Sequence, residues 1–220
     1  MVEVRDYVYS SLLAFSLVFG IALCLAKPEF TILYALMVAM APLASRGYNY
    51  YRSLFGRVLP GREKPGDYRW ALLGLIPLPL ALAFSWESEL LGMIALVVVA
   101  VAEETFRAGA VVLLRDQMRM DPIFAVVTAN AAWIMYHFIQ KPFNVDYLVF
   151  LVIGAVVFTI ALVKGGVGAA VLAHILANSL AAWVAISVSG GSVGVEIPLM
   201  VGAILAFTAF VVARLGGGRK

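Results

Sequence analysis

The sequence predicts an all-α, polytopic membrane protein: a bundle of about eight transmembrane helices in a single domain, with both termini in the cytoplasm. Two features of the composition predict this class. Of the 220 residues, 63% are hydrophobic. Only 13% are charged, whereas soluble globular domains average about a quarter. The third observation is the distribution of Lys and Arg, described below. A net charge of +3 is too small to indicate a nucleic-acid partner.

Apolar runs along the chain define the predicted helices. A helix needs about 20 predominantly apolar residues to cross a bilayer, and eight runs approach that length. Pro28 lies in the short turn after the first run and cannot continue its helix. The predicted runs are Tyr7–Ala26, Phe30–Ser45, Trp70–Trp86, Leu90–Leu114, Pro122–Ile139, Tyr147–Val163, Gly166–Val188 and Ile197–Leu215.

The basic residues predict the orientation. Eight spans place thirteen of the sixteen Lys and Arg residues on one side, against only Lys27 and Lys141 on the other, with Arg107 inside a run. Because basic loops are retained in the cytoplasm, both termini are predicted to be cytoplasmic, in a multi-pass protein of the cell membrane. The longest connection, 46–69, interleaves Arg with aromatic residues. We interpret it as an interfacial segment on anionic headgroups, with a substrate lid as the alternative.

Three charged residues interrupt the fourth run, and they are the first candidates for a site. Glu103, Glu104 and Arg107 lie within an almost wholly apolar stretch. A charge at the centre of a bilayer costs at least about 2.5–3.5 kcal/mol, so these groups need partners or a water-filled cavity. On a helix both carboxylates can reach the guanidinium, at spacings of four and three residues.

Further polar residues occur in the fifth and seventh runs. Asn130, Trp133 and His137 share one helical face, and so do His174 and Asn178. Taken singly, each could be a structural contact between helices. Together with the carboxylates they favour a shared site, because imidazole and carboxylate groups transfer protons and N–H groups stabilise an oxyanion.

Three motifs, in this order along the chain, resemble the CPBP family, which groups type II CAAX prenyl endopeptidases with bacteriocin-processing proteins. The motifs are Glu103-Glu104 followed closely by Arg107, an aromatic residue four before His137, and His174 followed four residues later by Asn178. The resemblance covers 90–188, which would be the catalytic core. It implies a helical bundle and peptide-bond hydrolysis by a glutamate-activated water, without a cofactor.

The resemblance also implies a role for each polar residue. Glu103 would activate the water, with Glu104 as an accessory. His137 and Asn178 would stabilise the oxyanion. His174 would orient the water or shuttle protons, and Arg107 would hold and tune the carboxylates.

The spacing between the Glu pair and Arg differs from the family pattern, which has three intervening residues where this chain has two. Aligning Arg107 matches Glu103 to the second Glu. Aligning the Glu pair makes Glu103 the base and displaces Arg107 by about 100° around the helix. A one-residue helical bulge would restore the phase. We take Glu103 as the base because both alignments place a carboxylate there. Trp133 stands where the family usually has Phe.

Two alternatives to this peptidase stay open from sequence. Glu103, His137 and His174 are also residue types that bind zinc. A non-catalytic member of the same fold would act as a scaffold or a transporter, and a helical phase that turns Glu103 away from His174 would favour the scaffold. For the peptidase, the expected partners are the lipid bilayer and a membrane-embedded or lipidated peptide.

Overall fold

The computed structural model describes residues 6–57, 59, 67–76, 90–140 and 142–188, and all regular structure within these ranges is helical. A 3₁₀ helix, Tyr68–Leu75, follows the second α-helix, and a π-helical turn, Leu113–Gln117, follows the third. The α-helices are α1 (Tyr7–Ala26), α2 (Phe30–Phe55), α3 (Leu90–Val112), α4 (Pro122–Gln140), α5 (Val145–Gly165) and α6 (Val167–Val188).

Helix α2 is longer than its apolar run. The sequence predicted a span ending at Ser45, but the helix continues to Phe55, so the first part of the predicted connection is helical. Between these residues the chain becomes polar and aromatic, which ends an apolar run without ending a helix. The helix stops at Gly56. The other described runs match their helices to within a few residues.

Two predicted runs are described in part or not at all. The third begins within the 3₁₀ helix Tyr68–Leu75, which is tighter than the predicted α-helix, and its remainder lies outside the described residues. The eighth, Ile197–Leu215, lies wholly outside them. The number of eight spans and the cytoplasmic termini therefore stay predictions.

Among the described residues, four helices are long and apolar enough to cross a membrane: α1, α2, α4 (through Ile139) and α5. Helix α6 contributes a shorter apolar stretch, Val167–Leu180. The outer faces of the four long helices expose large apolar side chains, including Leu25, Ile32, Ile139 and Val156. Such a surface is stable against lipid rather than water. The opposite arrangement holds for α6, whose residues 167–177 are all buried.

Local signals explain how the buried α6 is positioned. The side chain of Asn144 caps the start of α5. Gly166 separates α5 from α6 with a φ of 93°, a left-handed conformation that favours glycine. At the start of α6, the Gly168 N–H donates to the Asp6 carboxylate, which also caps α1 and accepts from the Tyr68 hydroxyl. The N-terminal ends of α1 and α6 are thereby joined.

Gly47 allows the closest helix contact near the site. Helices α2 and α3 pack together extensively, and a Cβ atom at Gly47 would collide with the backbone of Ala108. We expect Gly47→Ala to lower the free energy of unfolding by at least about 1–3 kcal/mol, because backbone cannot move aside as a side chain can. Thermal unfolding in detergent measures this. The matched control is Gly154→Ala, whose Cβ would meet only ordinary contacts; equal destabilisation by both would contradict the prediction.

Candidate active site

Helix α3 brings three charged side chains into the protein interior. Glu103, Glu104 and Arg107 are each at most 4% exposed. Arg107 Nη1 donates to Glu104 Oε1 at 2.7 Å, one helical turn away. Charges buried this deeply are tolerated when they are paired and hydrogen-bonded. Glu104 and Arg107 therefore form a buried ion pair whose charges cancel.

The remaining donors of Arg107 connect α3 to two neighbouring helices. Its Nε donates to Asn130 Oδ1 on α4 at 3.1 Å. Its Nη2 donates to Thr159 Oγ1 on α5 at 3.0 Å and to the carbonyl oxygen of Ala155 at 3.3 Å. A planar guanidinium bound in several directions has little freedom to rotate. Arg107 thus holds Glu104 at a fixed point between three helices.

His174, on the buried helix α6, lies between the two carboxylates. Its Nδ1 is 3.0 Å from Glu104 Oε1, and its Nε2 is 3.5 Å from Glu103 Oε2. The imidazole also stacks on Phe158, with centroids 4.3 Å apart and planes 17° apart. The ring orientation is therefore set by a carboxylate on its edge and an aromatic ring on its face.

Glu103 faces α4 and α6 rather than Arg107's donors. Trp133 Nε1 donates to Glu103 Oε2 at 2.7 Å. The other carboxylate oxygen, Oε1, lies 3.6 Å from His137 Nε2. The Glu103 carboxylate is consequently held between two imidazoles and an indole.

We assign the imidazole protons from their partners. His137 Nδ1 is 2.9 Å from the carbonyl oxygen of Trp133, which can only accept, so Nδ1 carries hydrogen. The same reasoning applies to His174 Nδ1 beside the Glu104 carboxylate. In a neutral imidazole the other nitrogen then has a lone pair. Both Nε2 atoms thus direct lone pairs toward Glu103.

A cavity of about 160 Å³ opens beside Glu103. One water needs only about 10–15 Å³ of such space, so the cavity has room for water and for part of a substrate. Its polar end is formed by Glu103, His137, His174 and Asn178. Apolar walls complete it, including Leu96, Val99, Phe150, Leu151, Gly154, Phe158 and Ala177.

Comparison with known families identifies this region. Residues 85–180 match the family described as type II CAAX prenyl endopeptidase Rce1-like. This part of the chain is similar to that family. The predicted resemblance to CAAX proteases is thereby confirmed over these residues. No curated protein and no solved structure matches the chain.

The Rce1-like region spans α3, α4 and α5 and the part of α6 that carries His174 and Asn178. Every candidate side chain described above therefore lies within it. The family is one of membrane proteases, and four of the described helices are long and apolar enough to span a bilayer. The protein is a multi-pass helical membrane protein, and the match supports a peptidase activity.

The residues singled out from sequence meet in the Rce1-like region, with one at the margin. Glu103, Glu104, Arg107, His137 and His174 lie in one connected group of contacts. Asn178 lines the cavity beside them. Their catalytic roles remain proposals, which the next subsection develops.

Sequence reasoning missed several members of this network. It confined the polar residues to the fourth, fifth and seventh runs, but Thr159 on α5 binds Arg107, and Tyr51 on α2 accepts from Asn130. It placed Trp133 on the helical face of Asn130 and His137 but predicted no contact with Glu103. The signal for Trp133 was present, because it shares a helical face with His137 and its indole N–H needs an acceptor when buried.

The shortened spacing in α3 is accommodated without a bulge. The α-helix is regular from Leu90 to Val112, and the π-helical turn begins only at Leu113. The phase of the family pattern is therefore not restored by a bulge between Glu103 and Arg107. Arg107 instead pairs with Glu104 at the three-residue spacing, and Glu103 faces α4 and α6.

A zinc site was the other chemical interpretation of these residues. Within the described part of the chain, no group of three or more His, Cys, Asp or Glu side chains has an arrangement that could hold a metal ion. The Glu104 carboxylate already accepts from Arg107 and His174.

Proposed function

We propose that the protein is an intramembrane peptidase in which Glu103 activates a water to hydrolyse a peptide bond of a membrane-associated substrate. The observation that carries this proposal is the position of the Glu103 carboxylate, which is buried and lines a cavity. Its Oε2 lies 3.5 Å from His174 Nε2, and its Oε1 lies 3.6 Å from His137 Nε2. A general base must come within about 3 Å of the water that it deprotonates.

In the first step, a water bound beside Glu103 Oε1 loses a proton to that oxygen as its own oxygen forms a bond to the carbonyl carbon. A water at this position is also within reach of His137 Nε2, because that nitrogen lies 3.6 Å from Glu103 Oε1. The carbonyl π electrons move to the substrate oxygen and form a tetrahedral oxyanion. Donors aimed at that oxyanion stabilise the transition state, and Asn178 and His137 are in the cavity to provide them.

His137 can donate from Nε2 only as an imidazolium, since its Nδ1 proton is directed at the Trp133 carbonyl. The charges are consistent with this state. Glu104 and Arg107 cancel, so one imidazolium also balances the Glu103 carboxylate. A buried cluster is most stable when its charges are compensated. An imidazolium at His137 is therefore what would make it an oxyanion donor.

In the second step, the carbon–nitrogen bond breaks and the proton taken up by Glu103 passes to the leaving amine nitrogen. It moves directly from Oε1, while His174 Nε2 lies 3.5 Å from the other oxygen, Oε2. Glu104 keeps His174 oriented by accepting from its Nδ1. The low dielectric of the membrane interior strengthens each of these interactions.

Scaffold or transporter function is less well supported. A scaffold was expected if Glu103 turned away from His174, but the two side chains approach to 3.5 Å. A transporter would need a conduit for its substrate and related halves of the chain. The contacts of Glu103 instead match those required of a general base.

A cleavage assay tests the proposed function. Purified protein in detergent is incubated with a peptide library that contains prenylated and unmodified C-termini, with and without a chelator, and new termini are identified by mass spectrometry. We expect cleavage of a subset of peptides that the chelator does not change. Absence of cleavage by folded protein would refute the proposal, and zinc-restored activity after chelation would assign the chemistry to a metal.

The apolar walls of the cavity predict how substrate size is limited. A Cβ atom at Gly154 would lie 3.4 Å from the Phe158 ring and 3.9 Å from Trp133, which are ordinary contacts. Gly154→Ala should therefore fold and narrow the cavity. We expect cleavage of peptides with large residues beside the scissile bond to fall about 10-fold relative to peptides with small ones. The control, Val152→Leu, adds bulk on the exposed face of α5 and should leave this ratio unchanged.

A further inference from the structure

Trp133 contacts four of the five side chains that form the polar cluster of the site. The cluster consists of Glu103, Glu104, Arg107, His137 and His174. Trp133 is 2% exposed and donates its indole N–H to Glu103 Oε2 at 2.7 Å. We propose that Trp133 is a positioning residue that fixes the Glu103 carboxylate so that Oε1, and not Oε2, receives the proton of the attacking water. This inference rests on the proposed peptidase function.

The hydrogen bond makes the two carboxylate oxygens different. Oε2 accepts from the indole and lies 3.5 Å from His174 Nε2. Oε1 lies 3.6 Å from His137 Nε2. An indole N–H is a donor only and does not titrate, so it occupies Oε2 throughout the reaction. Oε1 is left to exchange a proton with water.

The same residue also sets the orientation of His137. The backbone carbonyl of Trp133 accepts from His137 Nδ1 at 2.9 Å, which directs Nε2 toward Glu103. The indole ring meets the His137 ring edge-to-face, with centroids 4.8 Å apart and an interplanar angle of 73°. One helical turn of α4 thus positions both the Glu103 carboxylate and the His137 imidazole.

Trp133 also packs against Arg107 and His174. The guanidinium carbon of Arg107 lies 5.3 Å from the ring centroid, within cation–π range. His174 meets the ring at 6.0 Å and 86°. The indole therefore contacts both Arg107 and the Glu103 carboxylate, while Arg107 is paired with Glu104.

Removal of the indole N–H takes a hydrogen bond away from the Glu103 carboxylate, which a packing defect alone does not do. A hydrogen bond to a carboxylate is stronger when the carboxylate is ionised, so Glu103 is protonated more readily without it. The titratable and charged groups around Glu103 are Glu104 and Arg107 on α3, His137 on α4, Tyr147 on α5 and His174 on α6. Trp133→Phe removes none of these groups and keeps an aromatic ring beside Arg107, His137 and His174, so the lost donor is its main effect.

The test compares Trp133→Phe with Trp70→Phe in the detergent cleavage assay. Phe keeps an aromatic ring at position 133 and removes the donor, whereas Trp70 lies in the 3₁₀ helix, away from the cluster. We expect Trp133→Phe to lower kcat about 10²-fold, the effect of misplacing a reacting group by about 1 Å, with little change in KM. The low-pH fall in kcat/KM should also move to higher pH. Trp70→Phe should retain both parameters.

Two results would overturn the inference while the wild type cleaves: activity of Trp133→Phe close to that of the wild type, or lower activity with an unmoved pH profile. If the wild type itself does not cleave, the proposed function fails instead. Should Trp133→Phe fail to fold, replacement of the indole by benzothiophene exchanges N–H for sulfur at nearly the same shape. The same shift in the pH profile is then expected, and an unmoved profile would overturn the inference.

Discussion

Glu103→Gln is expected to reduce kcat by about 10²–10⁴-fold, the usual contribution of a general base. The amide has the size of the carboxylate, so the cavity and the contact with the Trp133 indole can persist. It cannot take up a proton from water, and it removes the charge that an imidazolium balances. Cleavage of the preferred library peptide, followed as initial rate against concentration, measures the effect.

The matched control exchanges a carboxylate for an amide outside the site. Asp116 lies in the π-helical turn after α3, where it accepts from Arg46 and Tyr50. Asp116→Asn should keep kcat within about twofold, as expected of a surface substitution remote from the reacting groups. A folded Glu103→Gln protein that cleaves as fast as this control would exclude Glu103 as the base.

Arg107→Met is expected to have the largest effect on stability. It leaves the Glu104 carboxylate buried without its cation, and breaking a buried pair from one side costs about 3–5 kcal/mol. It also removes the bonds to Asn130 and Thr159. Thermal or denaturant unfolding in detergent, followed by circular dichroism, measures the loss.

A double variant separates the charge from the packing. Arg107→Met combined with Glu104→Gln removes both charges, so we expect it to be more stable than Arg107→Met alone. The control is Arg46→Met, which breaks an exposed pair with Asp116 and should cost less than about 1 kcal/mol. If the double variant is no more stable than the single one, an uncompensated Glu104 charge is not the cause.

Most helices and the convergence of their polar residues follow from energetic costs that a sequence displays directly. Charges inside an apolar run need partners, and an α-helical spacing limits which partners share a face. This reasoning connected the acidic pair of α3 with His137 and His174 before any geometry was known. The end of α2 was missed because hydropathy marks where an apolar surface stops, which is ten residues before this helix stops.

Details within the cluster depend on side-chain directions that spacing alone does not determine. Arg107 was expected to reach both carboxylates, yet it pairs with Glu104 while Glu103 points to Trp133. Thr159 is a common residue in an apolar helix, and nothing in its spacing distinguishes a ligand of Arg107 from a hydroxyl bonded to its own helix. Its hydroxyl does both, accepting from Arg107 and donating to the Ala155 carbonyl.

Oxygen-isotope labelling during a single turnover is the most direct test of Glu103 as a general base. The wild-type protein, in excess over substrate, cleaves its peptide in water enriched in oxygen-18. The masses of the products and of the protein fragment that contains residue 103 are then measured by mass spectrometry. Direct attack by a Glu103-activated water places the heavy oxygen in the new carboxylate of the peptide. Heavy oxygen in the Glu103 side chain would instead reveal an acyl-enzyme anhydride and contradict the mechanism.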